Sequence, residues 1–178
     1  MKFQVIKQEQ AQGKAGELLA EAKKALGKVP NILGAMAHSP VGLEYYLSSS
    51  QILKSGKLSA KEGEQIALAV AGKNGCDYCA SAHSYVGKLS GLSTEEMQLN
   101  LKGESQTDRS TVLLSFVKEV MANRGHVSVE LQQELRSHDI SDEVLIEVVA
   151  HIALNTFTNY FNHVAGTDID FPKVSASK

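Results

Sequence analysis

The sequence predicts an all-α fold in a single domain spanning residues 1–178, and three observations point that way. Period-two alternation of β-branched and polar residues is nearly absent, whereas apolar residues recur every three or four positions. Those apolar stripes are bounded by helix start and stop signals. Only three prolines occur, two of them beside helix-start signals. At 178 residues one hydrophobic core is sufficient, and two separate ones would each be small.

Taken in order, Leu18, Leu19, Ala22 and Leu26 share a face of a helix from Gly16 to Leu26, which Gly27 stops. Pro30-Asn31 opens a short turn carrying Ile32, Leu33 and Met36, and Ser39-Pro40 caps a helix running to about Leu53. Ser59 and Glu62 have the spacing of a capping box ahead of Ile66, Ala67, Val70 and Ala71. That helix is expected to stop near Asn74-Gly75, so Cys76 begins the next one, which runs through Tyr85 and Leu89 to Gly91. Further helices are expected over residues 94–101, 108–123, 129–136 and 142–165. The last carries Leu145, Val148, Ile152, Phe157, Tyr160 and Phe161, a set that one small domain would not cover alone, so a homo-oligomer is expected. The stretch after Phe171-Pro172 reads as a frayed polar end. No linker or low-complexity segment interrupts the chain.

Charge and composition exclude some functions. A net charge of −2 with scattered Lys and Arg forms no basic footprint, so nucleic acid is not expected as a partner. The opening MKFQVIKQEQ lacks the apolar centre of an export signal, and no stretch is read as apolar over the roughly 20 residues that cross a bilayer. A soluble, cytoplasmic protein without a membrane partner is expected. In that compartment two cysteines are normally reduced thiols rather than a structural staple, which makes their spacing informative.

Cys76, Cys79 and His83 stand at i, i+3 and i+7, on one helical face. Two sulfurs at that spacing can join and separate with little backbone movement, and an imidazole four residues after Cys79 can take or return a proton. Amide groups at the helix start favour thiolate over thiol, and Cys76 gains most from them. Glu64, on the preceding helix beside Ala67, Leu68 and Ala71, is a carboxylate among small apolar residues and needs a partner; the Asn-Gly turn makes His83 a candidate, directly or through a water. Two other readings stay open. Cys76, Cys79 and His83 are three ligands of a zinc site, but no second Cys-x-x-Cys or His-x-x-x-His completes a tetrahedron. Buried, inert cysteines on a core helix are common.

The pattern Glu64-x11-Cys76-x2-Cys79-x3-His83 resembles the core of AhpD-like alkylhydroperoxidases, in the carboxymuconolactone decarboxylase superfamily. PNILGAMAHSP at 30–40 and NYFNHVAGTDIDFP at 159–172 look like flanks of its peroxidase-related branch. The resemblance implies an all-helical bundle and a thiol-dependent peroxidase without a cofactor. It implies that Cys79 attacks a small hydroperoxide and becomes a sulfenic acid, that Cys76 resolves this as a disulfide, and that Glu64 and His83 move protons. It also implies resetting by a dithiol donor such as a lipoyl or thioredoxin-like protein. The helix-start argument favours Cys76 as the more acidic thiol; the family role of attacker, with His83 nearby, favours Cys79. The best-known members carry a histidine immediately before the second cysteine, where this chain has Tyr78. Decarboxylases of the superfamily lack the cysteine pair, which weighs against lactone chemistry. Alternatives kept are a non-catalytic thiol redox sensor, a metal-binding module and a decarboxylase-type lyase.

Glu147, Asn159 and Asn162 repeat the spacing of Glu64, Cys76 and Cys79 without thiols. His151 and His163 lie on the same long helix and are more at home in a core or interface than in a site. Phe157, Tyr160 and Phe161 read as packing, and His38, His126 and His138 receive no role.

Overall fold

The computed structural model describes residues 1–176. Among these the chain forms α1 (Gly13–Leu26), α2 (Asn31–Met36), α3 (Pro40–Leu53), α4 (Ala60–Asn74), α5 (Asp77–Leu89), α6 (Thr94–Asn100), α7 (Asp108–Ala122), α8 (Val129–Ser137) and α9 (Asp142–Ala165), with no strand. The all-α expectation holds. Capping chemistry explains why the boundaries fall where they do. Ser39 accepts the Gly42 amide, and Ser59 and Glu62 form the reciprocal capping box in full. Ser93, Thr107, Ser128 and Ser141 each accept an amide in the same way for α6 to α9. Several ends shift by one or two residues, α5 closing at Leu89 rather than Gly91; beyond these, α1 begins at Gly13, and the turn expected after Pro30 is a short helix, since Pro30 ends extended and its carbonyl accepts the Leu33 amide.

Helix α4 is the centre of the molecule and packs against α5, α6, α7 and α9. Its run from Gln65 to Ala71 is buried all round, as expected of a helix walled on every side. Ala71 faces a cluster built from α1, α2, α3 and α5 that includes Leu19, Leu33, Leu43, Cys76 and Cys79. Ile66, Ala69 and Val70 face a second cluster, with Leu113, Val117, Leu135 and Val148 from α7, α8 and α9. Gly72 meets the Leu101 carbonyl so closely that a Cβ would overlap it.

Three expectations need correction. The tail is not frayed through Ala176: the Val174 amide donates to Ser81 Oγ at 2.9 Å, the Ala176 amide donates to Asp77 Oδ1 at 2.8 Å, and Ala176 is buried. Backbone groups in a polar run found partners on α5, which composition does not reveal. Next, α9 is long and apolar enough to cross a membrane, contrary to the expectation that no stretch approaches this. Its buried face nonetheless carries Asn155, Thr158, Asn159 and Asn162 and packs on α3, α4, α5 and α7. Finally, most of the α9 residues thought to need a second subunit are covered within the chain: Val148 and Ile152 are buried, and Leu145, Phe157 and Phe161 are partly so. Tyr160 of that set stays exposed, as do the large apolar residues Ile146, Val149 and Val164.

Candidate active site

Gly75, in the left-handed region at φ 66°, ends α4 and turns the chain so that α5 packs back along it. Cys76 is the N-cap of α5, and its Sγ accepts the Cys79 amide at 3.3 Å, so the helix start does hold this sulfur. Cys76 and Cys79 are joined as a disulfide, with Cα atoms 5.3 Å apart. Both are buried, at 1% and 3% exposure.

One turn on, His83 Nδ1 meets Glu64 Oε2 at 2.8 Å, directly and across the two helices. Gly87, one turn beyond His83, packs closely on α6 and its loop, where a Cβ would lie 3.1 Å from Leu92 and 3.2 Å from Met97. An ionised carboxylate only accepts, so the bridging proton belongs to Nδ1 and a neutral ring presents Nε2 with its lone pair free. The His83 and Glu64 side chains retain 25% and 19% of their exposure, making this pair the solvent-touching end of the constellation. All four residues singled out from the sequence therefore lie along the α4–α5 contact.

Three further residues border it. Asn162 Nδ2 donates to Cys79 Sγ at 3.3 Å from α9. His151 lies beside Gly63 and Glu64, its Cε1 3.5 Å from where a Gly63 Cβ would be. Burial pulls the His151 imidazole below its ordinary pKa; His83 adds to the effect, and Glu147 and Glu64 oppose it. Tyr46 on α3 has its phenol pushed up by burial and by the Glu64 charge. Only the spacing of Asn162 was visible beforehand; the neighbourhood of His151 and Tyr46 depends on contacts distant in sequence. Glu147, the first member of the same spacing, serves the architecture instead. It accepts the amides of Lys57 and Leu58 and ties the α3–α4 loop to α9. His163 is exposed.

Tyr78, between the cysteines, does not join them. Its hydroxyl donates to Asp170 Oδ1 at 2.8 Å and accepts the Ile32 amide at 3.2 Å. Burial, with Asp170 and Tyr46 adding and the Ile32 hydrogen bond opposing, pushes the phenol far above its ordinary range.

Two surface grooves, of about 760 and 500 Å³, lie elsewhere, around Phe116 and Leu145 on α7 to α9. Among the described residues no group of three or more His, Cys, Asp or Glu is arranged to hold a metal ion.

A buried cysteine pair at a helix start, with an imidazole–carboxylate pair one turn away, defines a helical dithiol protein. Residues 45–113, which contain Glu64, Cys76, Cys79 and His83, match the carboxymuconolactone decarboxylase family. A peroxidase-related protein from Ralstonia eutropha JMP134 with an alkylhydroperoxidase AhpD core superposes with a TM-score of 0.85 at 21% identity, covering 95% of this chain and 92% of that one. A peroxidase-related protein from Silicibacter sp. TM1040 superposes at 0.77 and 24% identity, covering 89% and 85%. The debrominase Bmp8, in complex with 2,3,4-tribromopyrrole, superposes at 0.72 and 19% identity, covering 86% and 84%. At these identities the likeness is one of fold. No curated protein matches the chain in sequence. The family match is confined to residues 45–113, and the fold is AhpD-like over 95% of this chain.

Proposed function

We propose that this protein is a cytoplasmic, homo-oligomeric thiol peroxidase of the alkylhydroperoxidase type. The observation that carries the reading is the 2.8 Å contact between His83 and Glu64, one turn from a cysteine pair already joined as a disulfide. His83 Nε2 takes the Cys79 thiol proton, and the resulting thiolate attacks the terminal peroxide oxygen. An S–O bond forms, the O–O bond breaks, and the departing alkoxide takes a proton from His83, leaving Cys79 as a sulfenic acid. The Cys76 thiolate then attacks that sulfur; an S–S bond forms and hydroxide leaves, taking a proton to become water. Sulfur has lost two electrons in all and the peroxide has gained them. Glu64 stabilises the imidazolium whenever His83 is charged. A protein dithiol, lipoyl or thioredoxin-like, returns the disulfide to two thiols.

The test is thiol titration across added alkyl hydroperoxide, with mass spectrometry of the 76–83 peptide. The wild type is expected to lose two thiols per peroxide consumed, and Cys79→Ser to consume none beyond background. Equal consumption by that variant overturns the reading. The fold shared with Bmp8 favours one other electrophile: the same two electrons suffice for reductive removal of bromine from an electron-rich aromatic ring. Bromide release from a bromopyrrole, with no loss of thiol to hydroperoxide, would decide for that reaction.

A further inference from the structure

Two asparagines one turn apart on α9 stand where the cysteine pair is buried. Asn162, 5% exposed, donates from Nδ2 to Cys79 Sγ at 3.3 Å, and its Oδ1 has no partner among the described residues. Asn159, fully buried, accepts the Asn74 side-chain amide on Oδ1 at 3.1 Å, and its Nδ2 has no partner among them either. Asn74 is the last residue of α4, two before Cys76, so both carboxamides face the corner from which the thiols emerge. A buried amide group without a partner is costly, and such groups persist where something else compensates them. The sulfur that Asn162 reaches sits in an apolar cluster with Leu19, Leu33, Leu43 and Ala80, where packing alone gives no reason for a carboxamide.

We propose that Asn162 and Asn159 form the polar cradle of the attacking sulfur, Asn162 holding Cys79 as its thiolate and the two carboxamides together receiving the oxygen of the sulfenic acid. A thiolate only accepts hydrogen bonds, so the nitrogen end of Asn162 is the end that fits it, and this end already faces the sulfur. The sulfenic acid adds one O–H and one further acceptor oxygen. Among the described residues Asn162 Oδ1 is an unused acceptor for the first and Asn159 Nδ2 an unused donor for the second. The arrangement resolves the competition between the two thiols: the helix-start amide serves Cys76, while a donor from another helix serves Cys79. The titratable groups on the elements packed around this sulfur include His83 on its own helix, its partner Glu64 on α4, His151 on α9 and Tyr46 on α3.

The thiolate half stands independently of peroxide chemistry; the sulfenic-acid half rests on the proposed function. Both are tested in a Cys76→Ser background, where Cys79 is the single thiol. Alkylation by iodoacetamide as a function of pH reads its acidity. Loss of one hydrogen bond to a charged acceptor is expected to slow alkylation of Asn162→Ala at neutral pH about tenfold and move its midpoint to higher pH. Asn162→Asp, which puts an acceptor where a donor stood, is expected to be slower still. Asn159→Ala is expected to lose its sulfenic acid, trapped with dimedone after peroxide, several-fold faster than the parent. Alkylation of both Asn162 variants at the parent rate would overturn the proposal. Should these variants not fold, the Asn162 side-chain amide resonance of the parent is expected to follow Cys79 ionisation by NMR, and an invariant resonance overturns it equally. If peroxide produces no sulfenic acid in the parent, the peroxidase reading falls while alkylation still judges Asn162.

Discussion

The Tyr78 hydroxyl donates to Asp170, 92 positions away, at 2.8 Å. The residue that stands between the cysteines thus sends its polar end to the C-terminal segment, and the edge of Phe171 packs on its ring at 5.8 Å between centroids. Tyr78→Phe keeps the ring and removes the bond, leaving the Asp170 carboxylate and the buried Ile32 amide short of a partner. A loss of about 1–3 kcal/mol is expected, read as a lowered urea midpoint. Because the Tyr78 hydroxyl bonds to Asp170 and Ile32, the alkylation rate of the reduced thiols is expected to stay at the wild-type value; a large change there would return Tyr78 to the site.

His83→Ala removes the group that returns a proton to the leaving alkoxide. Peroxide-dependent thiol loss is expected to slow by about 10²-fold or more, the range of positioned acid–base groups, with both thiols still titratable in denaturant. Glu64→Gln keeps the shape and discards the charge, and its rate is expected to fall between those of the wild type and His83→Ala. Wild-type rates in both variants would remove the pair from the mechanism.

The glycines of α4 make a paired prediction of opposite sign. Alanine is worth up to about 1 kcal/mol over glycine inside a helix. At Gly63 the new Cβ meets only His151 Cε1 at an ordinary 3.5 Å, so Gly63→Ala is expected to raise the unfolding midpoint. At Gly72 it overlaps the Leu101 carbonyl, a backbone atom that cannot step aside without moving the end of α6. Overpacking costs of roughly 3 kcal/mol then outweigh the propensity gain, and Gly72→Ala is expected to be less stable by about 2 kcal/mol. Equilibrium urea unfolding checks both.

His151 links folding to pH. Its imidazole is held below the ordinary pKa of 6.5, chiefly by burial, so the unfolded chain binds this proton more readily than the folded one. Stability is therefore expected to fall as pH drops below 6.5, until the folded-state pKa is passed. His151→Gln is expected to flatten that part of the profile, while the wild-type ring titrates by NMR below free imidazole. A His151 midpoint at or above 6.5 would contradict the burial argument.

What the sequence disclosed follows from range. The starts of α3 and α4 were readable because Ser39, Ser59 and Glu62 act on amides within three residues, and the face shared by Cys76, Cys79 and His83 needs only helical geometry. The bond from His83 to Glu64 was within reach because a single Asn-Gly corner separates their helices. The Asn162 donor was visible only as a spacing, since its partner lies 83 positions earlier and nothing local says that α9 crosses α5. The seating of Val174 and Ala176 on Ser81 and Asp77 was hidden for the same reason, and polar composition actively pointed the other way.

Helix α4 forms a wall of both apolar clusters, and the carboxylate that meets His83 stands on the same rod. Neither half of the bundle keeps its interior if this rod is withdrawn. Dismantling is therefore an all-or-none event in which the chemistry vanishes together with the architecture, and a chain severed after α4 leaves its second part without the surface on which to assemble.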